Sequence, residues 1–428
     1  MIQDWFLDAK LGIFIHWGIY SVADVSESWS FHNGAISYED YMKQCEGFTA
    51  EHFDANAWAQ LFKRAGARYA VLTSKHHDGV CLFDTAETDL SVVKCCPAGR
   101  DLIREYSSAM QAAELRCGLY FSLIDWSDPR YRSVYPAGVS PDDSRADIYG
   151  SPAGGPEDPQ AFEAFLASNR SQMRELLTNY GTIDLLWFDG DWERSAEQWK
   201  MAEFRDYLHR LNPAIVLNSR MQGYGDYATP EQGLPLEASG PFEFCTTMNQ
   251  SWGYRPSDDD YKSPAMLVRM FCDCISLGGN MLLDIGPKPD GTIDAPQVER
   301  LEAMGDFVHA NSEAIYASRR GLDRIHYGEG STLSKDGRNL YLFVFDSPAE
   351  MVCVRGLASA IDSITVLRTG ERLNYQFTGA VPWQGIQGTL WIEAKGLTIE
   401  DHCTVIKIAL AEPIKIHHGH GSAITYNP

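Results

Sequence analysis

The chain has 428 residues, of which 44% are hydrophobic and 22% charged, a composition typical of a folded globular protein of more than one domain. Asp and Glu outnumber Lys and Arg by 58 to 36, which gives a net charge of −22. Because so negative a surface repels phosphate backbones and anionic lipid, we expect neither nucleic acid nor a membrane surface as a partner.

The start of the chain lacks the features of a signal peptide. MIQDWFLDAK has no basic segment followed by an apolar core, and no apolar run reaches the roughly 20 residues that span a bilayer. We therefore expect a cytoplasmic protein, and a secreted or periplasmic origin with the signal already removed stays open.

Short apolar runs alternate with segments of helical period through the first three quarters of the chain. Near-continuous apolar runs are typical of strands buried on both faces in a parallel sheet. The alternation predicts an α/β fold, a (β/α) TIM-like barrel over residues 1–320 with room for one degenerate strand. A doubly wound open sheet is the runner-up, but no G-x-G-x-x-G follows the first strand. The predicted strands are Leu11–Trp17, Arg68–Ser74, Cys117–Leu123, Ile183–Phe188, Ala214–Asn218, Phe242–Thr246 and Asn280–Ile285, and the predicted helices are Ala57–Ala65, Asp101–Leu115, Pro159–Tyr180, Glu197–Leu211, Pro264–Leu277 and Pro296–Ala314.

The pattern changes after Gly321. Short alternating segments with turn residues between them predict a C-terminal antiparallel β-sandwich over residues 321–428. Within the barrel, two loop-rich stretches, Trp126–Gly155 and Gln222–Gly240, each follow a predicted strand. Loops in that position border the active sites of barrels, so we expect these two stretches to be functional.

Polar and aromatic side chains close the predicted barrel strands, at the end where barrels carry their sites. Three histidines, several carboxylates, an arginine and repeated tryptophans at equivalent positions indicate a binding site more than a core. Aromatic residues make up 12% of the chain, and rings in a polar setting can stack on the faces of a sugar. The strand-end residues are His16 and Trp17, Lys75–Asp78, Asp125 and Trp126, Trp187–Trp192, and Asn218–Arg220, and the sixth strand carries Glu243.

Asp189 is the clearest candidate for a catalytic carboxylate. It directly follows a buried strand, and Gly190 after it lets a ligand approach closely. A second carboxylate on a facing element would complete a glycosidase pair, in which one group attacks the anomeric carbon and the other protonates the leaving oxygen. Glu231 and Glu243 both qualify for the second role.

Five motifs, in order and with sensible spacing, resemble those of the retaining α-L-fucosidases of glycoside hydrolase family 29. They are Ala9–Gly18, Lys75–Gly79, Gly118–Ser122, Trp187–Gly190 and Ser251–Tyr254. The resemblance implies an exo-acting enzyme without a cofactor that hydrolyses terminal α-linked L-fucose in oligosaccharides or glycoconjugates through a covalent fucosyl-enzyme.

The resemblance also implies roles for individual residues. Asp189 matches the nucleophile, and Glu231 or Glu243 matches the acid/base, with Glu231 favoured. The family usually places a glutamate directly before a tryptophan, but here Ser28 separates Glu27 from Trp29, so either Glu27 reaches the sugar or that contact is lost. The residues that match sugar contacts are His16, Trp29, His76, His77, Tyr120, Trp187, Arg220 and Trp252.

Two other functions remain as alternatives. A non-catalytic carbohydrate-binding barrel would keep the pocket without the chemistry. A metal-dependent hydrolase would use histidines such as His76 and His77, but neighbouring side chains on a strand point to opposite faces. The 10 cysteines include no C-x-x-C pair, so we predict neither a metal site nor a disulfide framework. The fucosyl linkage and a homo-oligomeric state stay open.

Overall fold

Seven parallel strands form the first sheet of the structure, a computed structural model that describes residues 2–133, 158–346, 348, 350–381, 383 and 387–417. Their order in the sheet is β5-β4-β3-β2-β1-β7-β6, and nearly all of their residues are buried. This confirms the parallel sheet predicted from the apolar runs. The strands are β1 (Leu11–Ile15), β2 (Tyr69–Lys75), β3 (Arg116–Ser122), β4 (Leu185–Asp189), β5 (Val216–Leu217), β6 (Glu243–Thr247) and β7 (Asn280–Ile285).

An irregular segment, residues 226–232, fills the gap between β5 and β6. Pro230 has no N–H to donate, which prevents this segment from forming a regular strand. The degenerate strand that the sequence left room for therefore lies inside the stretch predicted as the loop Gln222–Gly240. Parallel bridges pair Asn218 with Tyr227, Ala228 with Phe242, and Glu231 with Cys245.

Helices connect the strands, and several begin where the sequence supplies a cap. Asp54, Asp101, Asp158 and Ser263 each accept a hydrogen bond from a backbone N–H in the first turn of the helix that follows. The α-helices of the described residues are α1 (Asp4–Ala9), α2 (Trp29–His32), α3 (Tyr38–Met42), α4 (Ala55–Arg64), α5 (Val92–Cys95), α6 (Leu102–Ala112), α7 (Pro159–Asn179), α8 (Ala196–Trp199), α9 (Met201–Leu211), α10 (Pro264–Ser276), α11 (Ala295–Ala310) and α12 (Ser312–Ile315).

Of the two predicted loops, the one from Trp126 to Gly155 lies outside the described residues after residue 133. None of the helices that can be described is both long enough and apolar enough to cross a membrane.

Two antiparallel sheets follow the barrel. The larger has the order β12-β15-β10-β9-β8 and the smaller β11-β14-β13. Apolar side chains from both sheets, among them Leu342 and Ile392, share one buried cluster, as in the predicted sandwich. The strands are β8 (Arg319–Arg320), β9 (Ser331–Leu333), β10 (Asn339–Val344), β11 (Met351–Val354), β12 (Ile361–Val366), β13 (Tyr375–Thr378), β14 (Thr389–Glu393) and β15 (Thr404–Leu410).

Strand β10 joins the sandwich to the barrel because both of its faces are apolar. Leu340 and Leu342 point into the sandwich cluster, whereas Tyr341 and Phe343, which alternate with them, belong to the barrel core. The sandwich is therefore packed against the barrel through side chains of β10, together with Cys403 and Val405 at the start of β15.

Candidate active site

One cavity of about 210 Å³ opens at the carboxyl ends of the barrel strands. Its position agrees with the rule that barrel sites form where the strands end, and it brings together nine of the residues predicted for the site. The residues that line it are Phe14, His16, Glu27, Trp29, His76, Tyr120, Trp187, Asp189, Trp192, Arg220, Glu231 and Trp252.

Asp189, the last residue of β4, presents its carboxylate to this pocket between two hydrogen-bond donors. Arg220 Nη1 donates to Oδ1 at 2.8 Å, and the Tyr120 hydroxyl donates to Oδ2 at 2.9 Å. Burial and the charge of Asp189 raise the pKa of Tyr120 well above its ordinary value, so Tyr120 stays a donor. Gly190 turns the chain away in the left-handed region, at φ 82°, where its missing side chain avoids Ile124.

Arg220 links Asp189 to Glu231. Its Nη2 donates to Glu231 Oε2 while its Nη1 holds Asp189, and its guanidinium lies 4.7 Å from the centre of the Trp187 ring. Burial opposes the charge of Arg220, but the two carboxylates outweigh that and raise its pKa above the ordinary value. The Glu231 side chain is 39% exposed and that of Asp189 is 13% exposed, so one carboxylate lies at the rim and the other inside.

Each of the three predicted histidines uses Nδ1 to contact a protein group. His16 Nδ1 lies 2.7 Å from Asp284 Oδ1, and His76 Nδ1 lies 2.5 Å from Ser28 Oγ. His77 Nδ1 lies 2.6 Å from Ser122 Oγ. This ring does not line the pocket but lies behind it, with Nε2 3.6 Å from Asp189 Oδ2. Burial lowers the pKa of His76 to about 4 and those of His16 and His77 well below the ordinary value, so these rings are neutral at pH 7.

The irregular Glu27-Ser28-Trp29 motif still delivers a carboxylate to the pocket. Glu27 lines the cavity, and its Oε1 accepts a hydrogen bond from Gly253 N at 2.6 Å. Ser28, the inserted residue, is buried against His76. Trp29 lies nearly parallel to Trp192, with ring centroids 6.1 Å apart. The sequence left open whether Glu27 reaches the sugar site or the carboxylate contact is lost. In the structure, Glu27 reaches the pocket.

Two residues at or behind the pocket, Phe14 and Asp284, were not among the predicted site residues. Phe14, on β1, precedes His16 by two positions and therefore faces the same side, a periodicity that could have revealed it. Trp192, one of the tryptophans expected near the strand ends, lies in the 3-10 helix Asp191–Glu193 after β4 and lines the pocket beside Trp29. Asp284, near the end of β7, pairs with His16, and only the register of β7 against β1 brings them together.

The histidines and carboxylates of the pocket do not converge on one point. Among the residues that can be described, the one group of His, Cys, Asp or Glu donors close enough to share an ion is Cys45, Cys95 and Cys96, which lies elsewhere. The geometry therefore gives no support to the alternative of a metal-dependent hydrolase.

Glu243 lies deep in the barrel, away from the pocket lining. It is the first residue of β6 and fully buried. Its carboxyl group accepts hydrogen bonds from the Tyr69 hydroxyl at 2.5 Å, Trp187 Nε1 at 2.8 Å and the Tyr227 hydroxyl at 3.2 Å. Glu243 therefore supports the indole that forms one wall of the pocket, while Glu231 opens into the pocket itself.

Glu243 should make the stability of the fold depend on pH. Burial raises the pKa of its carboxyl from the ordinary 4.5 to about 7, so the folded chain keeps a proton that the unfolded chain releases. The stabilisation of the fold by this bound proton is complete below pH 4.5 and is lost as the pH rises through about 7. The side chain of Glu243→Gln cannot ionise. Between pH 4.5 and about 7, we therefore expect the free energy of unfolding of this variant to fall by about 3 kcal/mol less than that of the wild type.

Urea unfolding at several pH values would measure this difference. The exposed Glu237→Gln is the matched control and should follow the wild type. Equal pH slopes for wild type and Glu243→Gln would contradict the assignment of a buried, protonated Glu243.

Comparison with known proteins agrees with this geometry. The family model described as alpha-L-fucosidase matches residues 1–313. A tissue alpha-L-fucosidase of Bos taurus is 32% identical over 345 residues, which cover 74% of this chain and 69% of that protein. Among solved structures, alpha-L-fucosidase isoenzyme 1 from Paenibacillus thiaminolyticus superposes with a TM-score of 0.84 at 34% identity, covering 95% of this chain and 98% of that one. An alpha-L-fucosidase of Bacteroides thetaiotaomicron, a trapped covalent intermediate in complex with 2-fluoro-fucosyl fluoride, superposes with a TM-score of 0.82 at 25% identity, and 95% of each chain is covered.

Proposed function

The chain belongs to the α-L-fucosidase family of glycoside hydrolases and is a retaining α-L-fucosidase, and from this premise we propose that Asp189 is its nucleophile and Glu231 its acid/base. The observation that carries the proposal is the bridge made by Arg220, whose two terminal nitrogens hold one oxygen of each carboxylate at the pocket. The proposed substrate is a terminal α-linked L-fucose of an oligosaccharide or glycoconjugate.

In the first step, Asp189 attacks the anomeric carbon of fucose from the face opposite the leaving group. The bond from that carbon to the leaving oxygen breaks, and Glu231 gives the oxygen its proton, so that a β-fucosyl ester and a free alcohol are formed. The donors on Asp189, Arg220 and Tyr120, orient the carboxylate for the attack. Glu231 lies at the more exposed rim, where a leaving sugar can extend into solvent.

In the second step, Glu231 takes a proton from water, and the water oxygen attacks the anomeric carbon as the bond to Asp189 breaks. The product is α-L-fucose, and both carboxyl groups return to their starting state. Once Asp189 is an uncharged ester, Glu231 is the one remaining carboxylate partner of Arg220 in the pocket. The guanidinium then stabilises the anionic form of Glu231, which is the form that a base needs.

The walls of the pocket suit the two sides of a fucose ring. Neutral His16 and His76, with Glu27 nearby, offer hydrogen-bonding groups to the hydroxyls. Phe14 lies 4.9 Å from Trp187 and 6.0 Å from Trp252, measured between ring centroids. These three rings form an apolar surface that fits the methyl group at C5 of fucose. A methyl pocket discriminates by only about 1–3 kcal/mol, so we assign most of the specificity to the hydroxyl contacts.

The alternative of a non-catalytic carbohydrate-binding barrel is not favoured. Both proposed catalytic carboxylates face the same pocket, and a related fucosidase has been trapped as a covalent intermediate.

Labelling with 2-fluoro-fucosyl fluoride tests the role of Asp189. Fluorine at C2 slows both steps by destabilising the positively charged transition states, while fluoride leaves readily, so the covalent intermediate should accumulate. We expect mass spectrometry of proteolytic fragments to find the label on Asp189. Asp191→Asn is a matched control, because Asp191 lies two residues away and bonds Gln222 instead, and it should label at the same place. A label on Glu231, or on a peptide without Asp189, would overturn the proposal.

A further inference from the structure

Three cysteine thiols meet at a point outside the sugar pocket. Cys45 lies in the short 3-10 helix Lys43–Gly47, Cys95 ends α5, and Cys96 follows it. The Sγ atoms of Cys45 and Cys95 are 3.8 Å apart, as are those of Cys95 and Cys96, and all three lie within 4.8 Å of one another. The sequence could not show this group, because Cys45 is 50 residues from Cys95.

The spacing of the sulfur atoms fits thiolates that share one metal ion. Metal–sulfur bonds of about 2.3 Å, the length found for zinc, place two sulfur atoms about 3.8 Å apart around a tetrahedral ion and about 4.0 Å apart around a planar three-coordinate ion. Two of the three sulfur pairs already have a separation in this range, and the sulfur atoms of the third pair, Cys45 and Cys96, lie within 4.8 Å of each other. A single ion can therefore be bound without moving the backbone of either segment far.

The backbone holds the two cysteine segments together in advance. Ala98 N donates to Phe48 O at 3.2 Å, which joins the chain after Cys96 to the chain after Cys45. Cys95 N donates to Ser91 O at 2.8 Å. The helix ends there, and Cys96 adopts an extended conformation. Because the backbone changes direction between them, two neighbouring side chains can point to the same place, which a regular strand would not allow.

The donor set selects the kind of metal. Thiolates are soft ligands that favour Cu(I) and Zn²⁺ over hard cations. A structural zinc site uses four protein ligands, whereas the ligands that the described residues bring together here are three, all sulfur. Cys45 and Cys96 are only 7% and 9% exposed, which protects a bound ion from water.

We propose that Cys45, Cys95 and Cys96 form a binding site for one soft metal ion of the Cu(I) class, held by three thiolates. The three thiols release their protons to solvent on binding. None of the three lines the sugar pocket, so the proposal is independent of the roles of Asp189 and Glu231, and either can fail without the other.

Anaerobic titration of the reduced protein with Cu(I), in competition with a chromophoric Cu(I) chelator, tests the site. We expect the wild type to hold one Cu(I) per chain against the chelator and to bind it at least tenfold more tightly than Cys45→Ser or Cys95→Ser. Cys353→Ser is the matched control, since Cys353 is a free cysteine on β11 of the sandwich, and it should bind like the wild type. Equal Cu(I) affinity in wild type and Cys95→Ser would overturn the proposal.

A measurement on the unmodified chain removes any dependence on how the variants fold. Bound Cu(I) should slow alkylation of Cys45, Cys95 and Cys96, read peptide by peptide by mass spectrometry, and leave the rate at Cys353 unchanged. Equal rates with and without Cu(I), or a Cys45–Cys95 disulfide formed in place of metal uptake, would show that the three thiols are not a metal site.

Discussion

Replacement of Asp189 by glycine should lower kcat for an aryl α-L-fucoside by about 10⁴-fold, the scale on which removal of one member of a catalytic group acts. The loss follows from the absence of any group that can form the covalent intermediate. Arg220 and Tyr120, which donate to the Asp189 oxygens in the wild type, remain in place around the space that the carboxylate leaves. Azide, a small anion, should bind between these donors and attack the anomeric carbon, so turnover should recover in azide.

The stereochemistry of the azide product distinguishes a nucleophile from other roles. Azide that replaces Asp189 attacks the α-fucoside once, from the opposite face, and gives β-fucosyl azide, identifiable by NMR. Asp191→Gly is the control, because that carboxylate bonds Gln222 in the turn after β4. We expect it to stay active, because Asp191 does not line the pocket, and to form no azide adduct. Wild-type activity in Asp189→Gly, or α-fucosyl azide as its product, would remove Asp189 from the role.

The sequence predicted the site best where a residue's place depends on its own strand. Asp189 ends a run of apolar residues, and the structure has it at the end of β4. The same holds for His16 and His76, which follow β1 and β2. In a parallel barrel the carboxyl ends of the strands share one rim, so the order of residues along each strand suffices to bring these side chains together.

The sequence predicted less where the position of a residue depends on how its strand pairs with its neighbours. Glu243 was a candidate because it lies on the sixth strand, yet as the first residue of β6 it faces the floor of the barrel. Glu231 belongs to an irregular segment whose strand-like course shows only in its bridges to both neighbours. Pro230 within the segment, and Gly225 and Gly233 on either side of it, hide that course from any pattern of alternation. The partner of His16, Asp284, lies 268 residues away, and no local signal connects them.

The choice between Glu231 and Glu243 can be decided by varying the leaving group. We expect Glu231→Ala to lose about 10²–10⁴-fold in kcat/KM on a fucosyl disaccharide, the usual contribution of a general acid. On 4-nitrophenyl α-L-fucoside the loss in kcat/KM should be far smaller, because nitrophenolate departs without a proton. The reason is geometric, since Glu231 lies at the pocket rim beside Arg220, where the leaving oxygen must be.

Glu243→Gln is the matched comparison, because glutamine preserves the size of the buried group and can still pair with Tyr69 and Trp187. If Glu243 only supports the Trp187 wall, its replacement should change kcat/KM by the same factor on both substrates. The azide product should also distinguish an acid/base from a nucleophile. With Glu231→Ala, azide reacts with the β-fucosyl intermediate and gives α-fucosyl azide, the anomer opposite to that from Asp189→Gly. A leaving-group dependence in Glu243→Gln and none in Glu231→Ala would assign the acid/base to Glu243, and the cavity at the rim would then not be where the leaving oxygen is protonated.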